Sequence, residues 1–109
     1  MTVEELAQRL DLRILVGGEA LSREVTGGYC GDLLSWVMSR AQSGDAWVTV
    51  MGNINSIAVA MLADVACIVL CEDAPLDEDA RTRAQEKGIA VLAGAENAYR
   101  LASRLSALI

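Results

Sequence analysis

The feature that most restricts the fold of this chain is a repeated alternation of short apolar segments with helix-length segments. Residues 46–51 and 66–71 are almost entirely apolar, and each is about as long as a buried strand. Residues 54–63 lie between them and are long enough to form a crossover helix. Strands that are hydrophobic on both faces are typical of parallel sheets covered by helices. The alternation therefore predicts an α/β fold.

The same pattern extends along the chain and predicts one domain over residues 1–109. The expected fold class is α/β, a three-layer α/β/α arrangement with a mainly parallel, roughly five-stranded sheet and helices on both faces. A capping box at Thr2 and Glu5 predicts the first helix, and Asp32 is the expected N-cap of the second. The predicted strands are 12–16, 23–26, 46–51, 66–71 and 89–92, and the later helices are 33–42, 54–63, a helix that stops at Gly88, and 95–108.

Charge and hydropathy exclude several classes of partner. The net charge is −6, from nine basic and fifteen acidic residues, so the chain should repel nucleic-acid phosphates. No uninterrupted apolar run is longer than the seven residues of 57–63, which is too short to span a bilayer, and we expect no membrane contact. The first residues lack the basic and apolar regions of a secretion signal. We therefore expect a cytoplasmic protein.

The residues that usually carry catalysis are few. There are three cysteines and no histidine, so a zinc site lacks its common ligands and Cys30 lacks a paired base. Cys67 and Cys71 lie four residues apart in a predicted strand, about 13 Å from each other, which is too far for a disulfide. We interpret both as core residues, and the acidic run 72–79 as the solvated start of a helix. The sequence predicts no catalytic residue, no metal and no cofactor.

Two blocks of sequence resemble the DRTGG domain family. They are Val-Thr-Gly-Gly-Tyr-Cys-Gly-Asp at 25–32, and Asn53 followed by Asn-Ser-Ile-Ala-Val-Ala at 55–60, with Trp-Val-Thr at 47–49 between them. The chain departs from the family by having no contiguous Asp-Arg-Thr-Gly-Gly, and by Asn53 where many relatives have histidine. The resemblance implies a fold similar to the N-terminal domains of HPr kinase/phosphorylase and of Mur ligases. It also implies an accessory or regulatory module, as in relatives fused to phosphotransacetylases or CBS-domain pyrophosphatases.

Glycine-rich and polar residues follow the predicted strands and form the candidate ligand site. Open backbone amides near a helix start can hold an anion or a phosphate, and the carboxyl ends of parallel strands meet at one edge of a sheet. We therefore expect a small anionic metabolite or nucleotide to be bound by Thr26, Gly27, Gly28, Gly31, Gly52, Asn53, Asn55 and Glu72. The alternative interpretations are that the glycines serve tight packing and that Asn53 or Asn55 is a helix N-cap.

Exposed apolar residues predict a protein contact. Trp36 falls off the apolar stripe of its helix, and the helix containing Ile57 and Met61 is apolar on all sides. These three residues are the expected interface of a symmetric homodimer. The leading hypothesis is thus a non-catalytic regulatory or protein-interaction module. The alternatives are a phosphotransferase-related enzyme or subunit and a purely structural dimerisation domain without ligand.

Overall fold

A computed structural model of the chain describes all residues from 1 to 109. Strands and helices alternate along the whole chain, with one 3-10 helix at Gly18–Ser22 after the first strand. The strands are β1 (Arg13–Val16), β2 (Gly27–Cys30), β3 (Asp45–Thr49), β4 (Cys67–Leu70) and β5 (Ala90–Ala93). The helices are α1 (Val3–Arg9), α2 (Leu34–Arg40), α3 (Ile54–Ala63), α4 (Glu78–Lys87) and α5 (Ala98–Ser106).

The five strands form one sheet in the order β1-β5-β4-β3-β2. Strands β2 to β5 are parallel, and β1 pairs with β5 in the antiparallel direction. This confirms the predicted α/β fold with a mainly parallel, five-stranded sheet. Each crossover from β2 to β5 moves one strand further in the same direction, so the strand order does not reverse there. The crevice that such a reversal creates in other α/β sheets is therefore not formed by these crossovers.

Two hydrophobic cores, one on each face of the sheet, hold the three layers together. Because the crossovers repeat with one hand, α2, α3 and α4 lie side by side on one face. Their buried residues, among them Val37 and Ile57, pack with Trp47 of the sheet. On the other face, residues of α1 and α5 such as Leu6 and Leu101 pack with alternate strand residues. No helix here has the length and apolar character that crossing a bilayer requires.

The second strand is where the sequence prediction was wrong. Residues 23–26 do not join the sheet; they pair with the chain start, where the amide of Val3 donates to the carbonyl of Arg23 at 2.9 Å. The sheet strand is β2, made of the Gly-Gly-Tyr-Cys stretch itself. Asp32 is also not the N-cap of α2, a position that Leu33 occupies. The carboxylate of Asp32 instead reaches across to the end of β3.

Elsewhere, the predicted bounds of the helices and strands agree with the observed bounds to within a few residues. Thr2 and Glu5 form the predicted capping box, with bonds of 3.2 and 2.9 Å. Helix α3 spans the predicted range and ends at Asp64 in the left-handed conformation. The apolar segment around β4 is fully buried, and both of its cysteines, Cys67 and Cys71, are core residues as predicted.

Candidate functional site

The predicted ligand residues fall on two different edges of the sheet. Gly31, Gly52, Asn53 and Glu72 follow the carboxyl ends of their strands, and Asn55 lies in the first turn of α3. Thr26, Gly27 and Gly28 lie at the start of β2, where Gly27 is paired with the first residue of β3. The structure therefore does not bring these residues into one group. Their role in ligand binding stays a prediction.

A hydrogen-bond network closes the carboxyl edge between β2 and β3. The Asp32 carboxylate accepts from the Thr49 hydroxyl at 2.7 Å and from the amide of Val50 at 3.0 Å. The Thr49 hydroxyl oxygen in turn accepts from the amide of Met51 at 3.2 Å. These contacts tie the segment after β2 to the segment after β3. The Asp32 side chain thus acts as a structural bridge at this edge.

Asn53 is the N-cap of α3. Its side-chain oxygen accepts from the backbone amide of Ser56 at 3.1 Å, and the Ser56 hydroxyl lies 3.4 Å away. The amide oxygen of Asn53 is therefore already engaged with its own helix, as in the capping interpretation. Asn55 lies in the first turn of α3, and its side chain is exposed.

The loops after β3, β4 and β5 pack directly on one another. The amide of Asp77 donates to the carbonyl of Gly52 at 2.8 Å. Glu72 and Asp73 both adopt the left-handed conformation, with φ of 57° and 54°. Their amides donate to the carbonyls of Glu96 at 2.9 Å and Gly94 at 3.1 Å. These backbone contacts join the loops beside Gly52 and Glu72, and none of the four cavities of the protein is lined by Gly52, Asn53, Asn55 or Glu72.

At the opposite edge, Arg23 joins the starts of β3 and β4. Its guanidinium donates to the Asp64 carboxylate at 2.9 Å and to the Asp64 carbonyl at 2.7 Å. The Ser43 hydroxyl donates to the second carboxylate oxygen of Asp64 at 2.5 Å. The hydrogen bonds from Arg23 and Ser43 lower the pKa of Asp64. This cluster fixes the turn that precedes β3 against the end of α3.

The two glycines of β2 allow close packing on either side of the strand. A Cβ on Gly27 would lie 2.7 Å from a carboxylate oxygen of Asp45, and one on Gly28 would lie 2.9 Å from a methyl group of Leu105. Real Cβ atoms essentially never approach so closely, so a larger residue at either position would require the Asp45 or Leu105 side chain to shift. The packing interpretation of these glycines therefore has a specific structural basis.

The largest concave surface of the molecule lies at this same amino edge, and we call it the amino-edge groove. Its volume is about 590 Å³, within the range of small-molecule sites. It runs between the turn after β1 and the C-terminal end of α4, and its lining residues include Arg23 and Lys87, the only lysine. Sequence reasoning missed it, because the groove forms between segments that are distant along the chain. Its lining is Gly17, Gly18, Glu19, Ala20, Ser22, Arg23, Val65, Ala66, Gln85, Glu86, Lys87, Gly88 and Ile89.

A smaller and more apolar cleft of about 260 Å³ lies between β2 and α5. Cys30 is exposed beside it. Partial burial, and secondarily the charge of Asp32, raise the pKa of the Cys30 thiol, so the thiol form is favoured. The cleft is lined by Gly27, Gly28, Cys30, Ala102, Leu105, Ser106 and Ile109.

The three residues that were predicted to form an interface do not share one exposed surface. Trp36 is 51% exposed, and the Arg40 guanidinium stacks over its ring at 3.8 Å. Met61 is exposed on α3. Ile57, in contrast, is fully buried between α3 and the sheet, so it contributes to the core rather than to a surface. No group of three or more histidine, cysteine or acidic residues is arranged to hold a metal ion.

Comparison with known proteins agrees with this description of the fold. A model of the DRTGG domain family matches residues 5–108. The fold is similar to a crystal structure of the CBS and DRTGG domains of the regulatory region of Clostridium perfringens pyrophosphatase, complexed with the activator diadenosine tetraphosphate. The TM-score is 0.71 at 9% identity, over 95% of this chain and 45% of the pyrophosphatase chain. No curated protein matches the sequence of this chain.

Proposed function

The chain belongs to the DRTGG domain family, and we propose that it is a regulatory module that binds a small anionic metabolite or nucleotide and performs no catalysis itself. Family membership supports the regulatory role, since a DRTGG domain forms part of the regulatory region of the Clostridium pyrophosphatase. That region was crystallised with a nucleotide activator, which makes nucleotides the first ligands to test. A cytoplasmic location accompanies this proposal.

The amino-edge groove is the site we propose for the ligand. It is the largest cavity in the protein, at about 590 Å³, and this single observation carries the proposal. The Lys87 ammonium has no carboxylate partner, whereas Arg23 is held by Asp64. Lys87 is therefore available for a phosphate or carboxylate of the ligand. The Gly17-Gly18 and Gly88 turns present backbone without side chains, which permits close approach.

The chemistry of the available groups supports binding rather than catalysis. The amino-edge groove contains no cysteine and the chain contains no histidine, so a nucleophile with a paired base is not assembled there. The Cys30 thiol lies elsewhere, and its raised pKa makes it a weak nucleophile near neutral pH. A site with cations, backbone groups and carboxylates can select a ligand by charge and shape.

Thermal unfolding with a panel of nucleotides tests the proposal. ATP, AMP and diadenosine tetraphosphate are added singly, and a ligand at 100 times its dissociation constant should stabilise the protein by about 2.7 kcal/mol. Lys87→Gln should weaken that stabilisation, whereas Arg100→Gln, on a helix of the opposite face, should leave it unchanged. The absence of any shift up to millimolar concentrations would contradict nucleotide binding. Release of phosphate from ATP would instead favour the phosphotransferase alternative.

We also propose that the module self-associates as a symmetric dimer. Several large apolar side chains are exposed, with Leu33 at the N-cap of α2, Trp36 within α2, and Met61 and Leu62 on α3. Exposed apolar area of this kind is stabilised by contact with another surface. Sedimentation velocity at micromolar concentration should give a species near twice the monomer mass of 11.6 kDa.

A further inference from the structure

A second cavity adjoins the amino-edge groove, and we propose that the two together bind one nucleoside monophosphate. This inference rests on the proposed function and names the ligand class of its site. The second cavity, which we call the β1 pocket, has a volume of about 330 Å³, and both volumes lie within the range of small-molecule sites. Its lining is Leu15, Val16, Gly17, Gly18, Ala84, Gln85 and Gly88.

The two cavities share one wall. Gly17, Gly18, Gln85 and Gly88 line both of them. A Cβ on Gly18 or on Gly88 would meet no atom within 4 Å, so no side chain fills the space beside either glycine. The shared wall is therefore made mainly of backbone, and one extended ligand can lie across it.

Charged residues line only one of the two cavities. The amino-edge groove is lined by Glu19, Arg23, Glu86 and Lys87, whereas the β1 pocket has apolar residues, glycines and the amide of Gln85. A ligand that fits both cavities therefore has a charged end and an uncharged end that still forms hydrogen bonds. A phosphate joined to a nucleobase meets this description, because a base has stacking faces and carries donors and acceptors on its edges.

The ion pairs around the groove limit the charge of the ligand. Arg23 is held by Asp64 at 2.9 Å, and Glu86 lies 3.6 Å from Arg83. Lys87 forms no ion pair, so it is the one cation of the groove without a carboxylate partner. One ammonium matches one phosphate, while further phosphates would be repelled by a chain whose net charge is −6. We therefore expect a monophosphate to bind more tightly than a polyphosphate.

Glu19 is the group available to contact a ribose. It lines the same groove as Lys87, and its carboxylate forms no ion pair. An ionised carboxylate only accepts hydrogen bonds, so it repels phosphate but accepts from sugar hydroxyls, as acidic residues do in dinucleotide sites. Lys87 for the phosphate, Glu19 for the ribose and the β1 pocket for the base thus account for all three parts of a nucleoside monophosphate.

Calorimetric titration of the wild-type protein tests the proposal without any substitution. AMP, GMP, CMP and UMP are titrated first, and the tightest of them is compared with its nucleoside, with ribose phosphate and with its triphosphate. The monophosphate should bind at least about tenfold more tightly than the nucleoside or ribose phosphate, since each fragment lacks one set of contacts. Tighter binding of the triphosphate, or equal binding of ribose phosphate, would overturn this inference and leave the groove as an anion site. No binding of any of these compounds would overturn both this inference and nucleotide binding by the module.

Two substitutions assign the ends of the ligand to their cavities. Lys87→Gln should weaken binding of the nucleotide and of ribose phosphate about tenfold and leave binding of the nucleoside unchanged. Leu15→Ala should weaken binding of the nucleotide and of the nucleoside roughly fivefold and leave binding of ribose phosphate unchanged. Leu62→Ala, at a 70% exposed position of α3 outside all four cavities, is the control for Leu15→Ala and should change none of them.

A second pair of substitutions keeps the test independent of the stability of Leu15→Ala. Gln85→Ala, at an exposed position of α4, removes the only hydrogen-bonding side chain of the β1 pocket and should act as Leu15→Ala does. Glu19→Ala should abolish the preference for the nucleotide over the corresponding deoxynucleotide. Thermal unfolding of each free variant verifies that it is folded. If Leu15→Ala and Gln85→Ala both bind the nucleotide as the wild type does, the β1 pocket does not hold the base and the inference fails, while a loss in Lys87→Gln would still support the groove.

Discussion

Gly52 lies so close to Pro75 that a Cβ on the glycine would overlap the carbonyl oxygen of Pro75. The same glycine accepts a hydrogen bond from the amide of Asp77 at 2.8 Å. The loop after β3 and the loop after β4 are thus held together backbone to backbone. Because the obstructing atom belongs to the main chain, no side-chain rotation can make room for a larger residue at position 52.

Gly52→Ala should therefore destabilise the protein. Overpacking of this kind typically costs 1–3 kcal/mol, and we expect about 3 kcal/mol because the loops must separate. Gly31→Ala is the control, since a Cβ there would meet only the ring of Tyr29, at 3.2 Å. Urea unfolding followed by circular dichroism measures both. A Gly52→Ala protein as stable as the wild type would show that the two loops move apart freely.

Asn53→Ala should lower the free energy of unfolding by about 1 kcal/mol, because it removes the cap that accepts the Ser56 amide. Asn53→Asp should retain most of the stability, since a carboxylate also accepts that hydrogen bond and suits a helix N-terminus. Chemical denaturation measures both variants. If the alanine variant is unchanged in stability yet loses the thermal shift given by a nucleotide, Asn53 contacts the ligand and the capping account is insufficient.

Gly28→Ala should destabilise the protein by roughly 1–2 kcal/mol, because its Cβ would press on Leu105. The same substitution in a Leu105→Ala background should cost much less, since the obstructing methyl group is gone. A double-mutant cycle of unfolding free energies measures this coupling. Additive effects would show that Gly28 is required for another reason, such as contact with a ligand.

Local signals account for the parts of the fold that the sequence predicted well. The apolar segment around β4 and the range of α3 are specified by residues close in sequence. β2 was misplaced because glycine has low strand propensity. Its pairing with β3 depends on the tight approach of Asp45 and Leu105, which lie far away along the chain.

The candidate site was harder to predict than the fold. Gly52, Asn53 and Glu72 follow the carboxyl ends of parallel strands, but the rule that loops gather at this edge does not say whether those loops leave a cavity. Here the loops form hydrogen bonds with one another, and none of the cavities is lined by these three residues. The amino-edge groove forms where the turn at Gly17 lies beside the end of α4 near Lys87. The spacing of these two segments is set by the tertiary fold, and no local sequence pattern predicts it.

The ion pair between Arg23 and Asp64 should make a small contribution to stability that depends on pH. The folded pKa of Asp64 lies below its ordinary value, chiefly through the hydrogen bonds from Arg23 and Ser43. The contribution is therefore fully present at pH values above the ordinary aspartate pKa of about 4. It is lost as the pH falls through the lower pKa that Asp64 has in the folded protein.

Asp64→Asn removes the titrating group while keeping a residue that tolerates the left-handed conformation found here. The melting temperature of the wild type should exceed that of the variant at pH 7, and the gap should close towards pH 3. Because Asp64 is largely exposed, added salt should also narrow the gap. A constant difference between pH 7 and pH 3 would exclude the charge as its source.

The three thiols should differ sharply in reactivity. Burial raises the pKa of Cys67 to about 12, and burial is also the main cause of the raised pKa of Cys71. Both side chains are inaccessible in the folded protein, whereas Cys30 is exposed. Because the thiolate is the reactive form, the native protein should take up one maleimide per chain and the denatured protein three.

The pH dependence of this labelling adds a second test. The raised pKa of Cys30 means that its labelling rate should still be climbing above pH 8.5, the ordinary pKa of a free cysteine. Mass spectrometry of the labelled peptides identifies the site, and Cys30→Ser should take up no label in the native state. Native-state label on Cys67 would require the sheet to open under native conditions, since that residue has no exposed surface. Such a result would mean that the packing on both faces of β4 is far weaker than the burial of this strand implies.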